Sequence, residues 1–207
     1  MSRVSAATNA PRASVVMSVY DDLRFLNEAV DSILGHQFED FEFIIVDDGT
    51  GVDGVRNLRH RDPRVRVLGN ERNAGGAAAG NRGIASARSD IIVRLDADDA
   101  AEPTRIGRLV VELERDLGLG LIASAVTLVD EEGRPQGVVA PPLTDVLVRF
   151  TILFRNPFFH PSVAFRKTCF EAAGGYDEDE RVSYDHSMWF RMLDVTRAAP
   201  LRTTRPV

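Results

Sequence analysis

The chain has 207 residues, enough for one sizeable α/β core, and its 25 basic and 31 acidic residues give a formal net charge of −6. The acidic balance argues against a nucleic-acid partner, and no apolar stretch reaches transmembrane length. Cys169 is the single cysteine, which excludes an internal disulfide and a cysteine-built metal site. Residues 1–13 are small and polar, lack the apolar centre of a signal peptide, and read as a disordered leader. Together these features point to the cytoplasm, with peripheral contact at the inner face of the membrane arising through a substrate or partner.

Residues 14–19 are a β-branched run that predicts the first strand. Leu23, Leu26, Val30, Ile33 and Leu34 then recur at helical spacing, with Gly35 as the C-terminal cap. Residues 41–46 predict a second strand, closed by Asp47-Asp48-Gly49-Thr50. A short helix over 52–61 and a third strand over 64–68 follow. The small-residue run from Gly75 to Gly83 predicts a loop entering a close-packed helix, and 91–95 the fourth strand. Pro103 opens a helix whose buried face is Ile106, Leu109, Val110, Leu113 and Leu117. Further on, 121–129 and 137–140 predict a hairpin across Glu131-Glu132-Gly133. Residues 145–154 predict a helix, 161–165 a strand and 185–194 a final helix. No linker or internal repeat divides the chain: 14–118 and 119–194 read as two halves of one domain, with 195–207 as a tail.

Strand–helix alternation through residue 117 predicts an α/β fold with a mostly parallel sheet flanked by helices. Ligands in such sheets bind outside the carboxyl ends of the strands. The acidic motifs fall there. Asp96, Asp98 and Asp99 crowd three carboxylates into four positions, and like charges this close repel unless a cation sits among them. Oxygen ligands of this kind suit Mg²⁺ or Mn²⁺, which take substrate phosphates as remaining ligands. Asp47 and Asp48 also fit a simple turn before Gly49.

The ordered set of motifs resembles the family 2 glycosyltransferases with the GT-A fold. The likeness runs from about Ala13 to Leu193. It rests on residues 14–21, Ile45-Val46-Asp47-Asp48-Gly49-Thr50, Asn73 and Gly75 with Asn81-Arg82-Gly83, and Leu95-Asp96-Ala97-Asp98-Asp99. His160-Pro161-Ser162-Val163, Gly174-Gly175-Tyr176-Asp177, and Asp185 four residues before Trp189 complete it.

The resemblance implies an inverting transfer from a nucleotide-diphospho-sugar to a carbohydrate or lipid-linked acceptor, in surface polysaccharide or glycolipid synthesis. It places Ser18, Tyr20, Asp48 and Asn81 around the nucleotide. Asp96 or Asp98 would meet the ribose, and Asp98 or Asp99 a divalent metal, Mn²⁺ or Mg²⁺. Asp185 is the candidate base, although a carboxylate there also suits a helix N-terminus. His160 would contact the donor phosphates or the acceptor.

Three departures stand out. Tyr184 replaces the glutamate that usually precedes Asp185, Gly80 replaces a common arginine, and the tail is short. Arg72 or Arg88 would then have to meet the nucleotide. Tyr184 and the short tail favour a second reading, a nucleotide-sugar-binding relative with weakened turnover. Rival folds fit poorly. Gly118-Leu119-Gly120 follows a helix rather than a strand, against a dinucleotide fingerprint, and no phosphate-binding P-loop sequence is present.

Overall fold

A computed structural model describes residues 10–201. The first half comprises β1 (Ala13–Val19), α1 (Leu26–Leu34), β2 (Phe41–Asp47), α2 (Asp53–Asn57), β3 (Val65–Gly69), α3 (Gly76–Ala85), β4 (Ile91–Arg94) and α4 (Arg105–Arg115). The second comprises β5 (Leu119–Ala123), β6 (Val126–Val129), β7 (Pro135–Val139), α5 (Asp145–Thr151), β8 (Val163–Arg166), α6 (Lys167–Ala172), α7 (Tyr184–Val195) and β9 (Arg197–Pro200). Seven strands form one sheet in the order β3-β2-β1-β4-β8-β5-β9. The β3, β2, β1 and β4 strands are parallel, while β8 runs antiparallel between β4 and β5.

Both faces of the sheet are covered, so its strands are apolar on both sides. Val15, Met17 and Val19 of β1 pack with Val30, Ile33, Ile106 and Leu109 on the α1/α4 face. Val16 points the other way, toward Ile44, Val46, Ile84 and Trp189. The small residues of α3 allow it to lie close on this second face. A Cβ at Gly83 would fall 2.6 Å from Val16 Cγ1 and 3.0 Å from Val46 Cγ2.

The structure revises several expected boundaries. Leu117 is 81% exposed rather than buried, because α4 ends at Arg115 and the chain turns into β5. The expected hairpin splits. Its first residues enter the main sheet as β5, and only β6 pairs with β7, as a separate two-stranded ribbon. Part of the expected tail is structural, since β9 pairs in parallel with β5. The expected leader lies outside the described residues up to position 9, but Arg12 pairs with Glu114 and Ala13 begins β1.

The amino end of the sheet carries a buried charge cluster. Glu42 of β2 is fully buried and accepts hydrogen bonds from Ser14 Oγ, Arg66 Nη1, Arg88 Nε and the Arg88 backbone N–H, at 2.7–3.0 Å. Burial alone would raise its proton affinity, but these donors outweigh that effect and hold the carboxyl below the ordinary value of 4.5. The stabilisation is therefore complete above that value and is lost as pH falls through the depressed folded value. Acidification below pH 4.5 is expected to lower the urea midpoint of the parent more steeply than that of Glu42→Gln. Equal slopes would show that Glu42 does not contribute.

Candidate active site

Strand order reverses between β1 and β4, and open α/β sheets bind ligands at the carboxyl ends of the strands at such a reversal. Ser18 stands near the carboxyl end of β1 and Tyr20 directly follows that strand. Ser18 Oγ is buried without a hydrogen-bond partner, and Tyr20 is 51% exposed. At the end of β2 the two aspartates divide their work. Asp47 Oδ1 accepts from the Thr50 backbone N–H at 2.9 Å, so it forms the turn, while its Oδ2 is buried without a hydrogen bond and lies 3.8 Å from Arg56 Nε. Asp48 accepts from Asn70 Nδ2 at 2.6 Å and from the Ala74 and Gly75 backbone N–H groups at 2.9 and 3.0 Å. Both its oxygens thus hold the loop between β3 and α3. Gly49 lies against that loop at φ +81°, where a Cβ would meet the Arg72 backbone at 2.5 Å.

Beyond β4 the three carboxylates occupy a turn. Burial, with the charges of Asp98 and Asp185 as further contributors, raises the proton affinity of Asp96, while Arg94 opposes it. Burial and the charges of Asp96 and Asp98 push Asp99 up to about 6. Asp185 stands in the first turn of α7, which joins it electrostatically to the β4 turn. Its Oδ2 accepts from Asn156 Nδ2 at 2.7 Å, rather than from a helix N–H. Among the described residues no group of three or more His, Cys, Asp or Glu side chains forms a ready-made metal cage. One or two of these closely spaced carboxylates instead fit a cation shared with substrate phosphates.

Two buried arginines hold this turn in place. Arg94, only 1% exposed, donates from Nη1 to the Val16 carbonyl at 2.9 Å and lies 3.4 Å from Asp96 through Nη2. Arg105 donates to the carbonyls of Arg94 and Pro161 and to Ser124 Oγ, and burial lowers it to about 10. Neither was singled out from the sequence, nor was Asn156. A basic residue closing an apolar strand two positions before the acidic run was the available signal for Arg94.

His160 joins the same cluster, largely buried between Arg94, Asp96 and Tyr176. Burial, followed by the Arg94 charge, holds its proton affinity well below the ordinary histidine value. Asn81 sits on α3 with its amide fully engaged. Nδ2 donates to the Tyr176 carbonyl and Glu178 Oε1, each at 2.9 Å, and Oδ1 accepts from the Tyr176 N–H at 3.0 Å. In this structure Asn81 therefore ties the 176–178 segment to α3. The departures find local reasons too. The Tyr176 ring fills the space above Gly80, where a Cβ would lie 3.0 Å away, and the Tyr184 hydroxyl lies 2.7 Å from a Cβ built on Gly76. Arg88 is not at this end of the sheet at all, being engaged with Glu42. Phe158, Met188, Trp189 and Met192 are core, whereas Phe154, Phe159 and Phe190 are exposed.

Residues 14–168 match the model of glycosyl transferase family 2. The UDP-Gal:alpha-D-GlcNAc-diphosphoundecaprenol beta-1,3-galactosyltransferase of Escherichia coli is 27% identical over 191 residues, covering 89% of this chain and 69% of that protein. Among solved structures, Staphylococcus aureus TarS 1–349 in complex with UDP superposes with a TM-score of 0.74 at 17% identity, over 91% of this chain and 57% of that one. The Pyrobaculum calidifontis mannosyltransferase PcManGT, in complex with GDP-Man and Mn²⁺, gives a TM-score of 0.68 at 20% identity, over 93% and 55%. These likenesses establish the shared GT-A fold. The chain spans about two thirds or less of the lengths of these proteins.

Proposed function

We propose that this chain, which belongs to glycosyl transferase family 2 and is a glycosyltransferase domain, moves a sugar from a nucleotide-diphospho-sugar to an acceptor hydroxyl with inversion. The observation that carries this reading is the gathering of Asp96, Asp98 and Asp99 with Asp185 at the carboxyl end of one sheet. Ser18 and Tyr20 face the nucleobase side, where the unpartnered Ser18 hydroxyl has a free hydrogen-bonding site. Asp48 supports that side through the loop it holds, and Asp96 meets the ribose. Asp98 and Asp99 would hold a divalent cation, Mn²⁺ or Mg²⁺, whose chemistry is to neutralise charge on the departing nucleoside diphosphate.

Asp185 takes the acceptor proton as the hydroxyl oxygen attacks the anomeric carbon. Asn156 orients it through Oδ2, leaving Oδ1 without a protein hydrogen bond among the described residues and available to the acceptor. Exposed Phe150 and Phe154, with ring centroids 5.2 Å apart, shortly precede Asn156 in sequence and favour an acceptor on an apolar carrier. Together with the galactosyltransferase relative, this supports surface polysaccharide or glycolipid synthesis at the inner membrane face. No helix of the described residues is long and apolar enough to cross a membrane. Tyr184 favours the second reading, donor binding without efficient turnover.

Calorimetric titration with UDP, GDP and dTDP, with and without Mn²⁺, tests the donor site. One nucleotide is expected to bind with Mn²⁺ and to lose at least about tenfold in affinity in the Asp98→Ala, Asp99→Ala double variant, as removal of charge-assisted contacts predicts. Metal-independent binding, unchanged in the double variant, would sink the metal assignment. Metal-dependent binding without transfer to any of a broad panel of acceptors would select the second reading.

A further inference from the structure

His160, expected to touch the donor phosphates or the acceptor, is held in a specific set of protein contacts. The imidazole Nε2 lies 2.8 Å from the Tyr176 hydroxyl and 3.3 Å from Arg94 Nε. An arginine Nε–H only donates. Nε2 must therefore carry the lone pair, the Tyr176 hydroxyl also donates to it, and the ring proton sits on Nδ1. That nitrogen lies 3.8 Å from Asp96 Oδ1. Arg94 Nη2 approaches the same oxygen at 3.4 Å. Arg94 Nη2 thus donates to Oδ1, His160 Nδ1 stands just outside hydrogen-bond range of the same oxygen, and no protein hydrogen bond reaches Asp96 Oδ2 among the described residues.

We infer that His160 is a positioning residue: its Nδ1–H, fixed by Arg94 and Tyr176, is aimed at Asp96 Oδ1 and closes on it in the nucleotide complex, so that Oδ2 presents to a hydroxyl of the bound nucleotide. The support reaches back into the fold. Asn81 grips the Tyr176 backbone on both sides, the Tyr176 ring rests on Gly80 of α3, and Tyr184 packs edge-on against both Tyr176 and His160. The 3.8 Å separation exceeds a hydrogen bond and leaves a small approach to be completed when the nucleotide is seated. The ribose role of Asp96 rests on the proposed function, whereas the proton location rests on geometry alone.

The test has two parts. Long-range ¹H–¹⁵N spectra of the histidine-labelled protein, assigned with His160→Asn, are expected to show His160 as the Nδ1–H tautomer. An Nε2–H tautomer would overturn the inference. In the second part, Mn²⁺-dependent nucleotide affinity and thermal midpoint are compared for His160→Asn, which keeps an N–H near Nδ1, and His160→Gln, which carries its amide near Nε2. Comparable losses of midpoint are expected in both, with nucleotide affinity about tenfold weaker in His160→Gln alone, the loss of a hydrogen bond to a charged group. Affinities that fall equally in the two variants, or in neither, would reduce His160 to a packing role. If the parent binds no nucleotide, the proposed function falls, and with it the ribose role, while the tautomer spectrum still decides the link to Asp96.

Discussion

Asp185→Asn is expected to lower kcat for sugar transfer by about 10²–10⁴-fold, the usual contribution of a positioned general base. The nucleotide Kd should stay within about threefold of the parent, because the substitution removes a proton acceptor and no donor-binding group. The change is nearly isosteric, and its amide oxygen can still accept from Asn156 Nδ2, now 2.7 Å from the carboxylate. Loss of kcat therefore reports the chemistry rather than a displaced loop. The nearby acidic residues are poorer candidates. Glu178 accepts from Asn81, Asp177 from the Asp179 N–H, and Glu180 from Ser187. Single-turnover transfer followed by quench would read the effect. A kcat within threefold of the parent would remove Asp185 from the base role.

Trp189→Ala should be the most destabilising core substitution in the second half, costing about 3–5 kcal/mol. The indole is fully buried and its ring lies 5.7 Å from Phe165 and 6.0 Å from His160. Its N–H has no hydrogen-bond partner among the described residues, so polarity is not what holds it there. Trp189→Phe should accordingly cost much less, since it keeps an aromatic ring and removes an unpaired donor. Urea unfolding of both variants checks the ordering. Equal destabilisation would mean that the indole N–H is satisfied in solution, by water or by an aromatic face.

The parallel half of the fold was legible because its signals are local. Apolar runs ending in Asp47-Asp48 and in Asp96-Ala97-Asp98-Asp99 marked both the strands and the end of the sheet where ligands gather. The second half was harder to read. Whether Leu121 joins a hairpin or the main sheet depends on β8, more than forty residues later, and no periodicity carries that information. The site was legible as a set of acids and illegible as a mechanism of support. Arg94, Arg105 and Asn156 act through contacts with Val16, Pro161 and Asp185, partners 78, 56 and 29 residues away. Asn81 shows the converse, a residue marked by its motif whose engagement with Tyr176 only the folded chain reveals.

The antiparallel insertion of β8 has a consequence for how the protein is made. During synthesis, the ribosome delivers β1 to β4 first, and their outer edge stays unpaired on the β4 side until Val163–Arg166 emerges. β5, made earlier, meets β4 in the native sheet only through β8. An exposed parallel edge of apolar residues is a template for pairing with other chains. Nascent chains halted before residue 163 should therefore be the species that chaperones hold and that aggregates when they are absent. Completion of β8 covers the β4 edge of an adhesive intermediate, and the family match over residues 14–168 runs just past that strand.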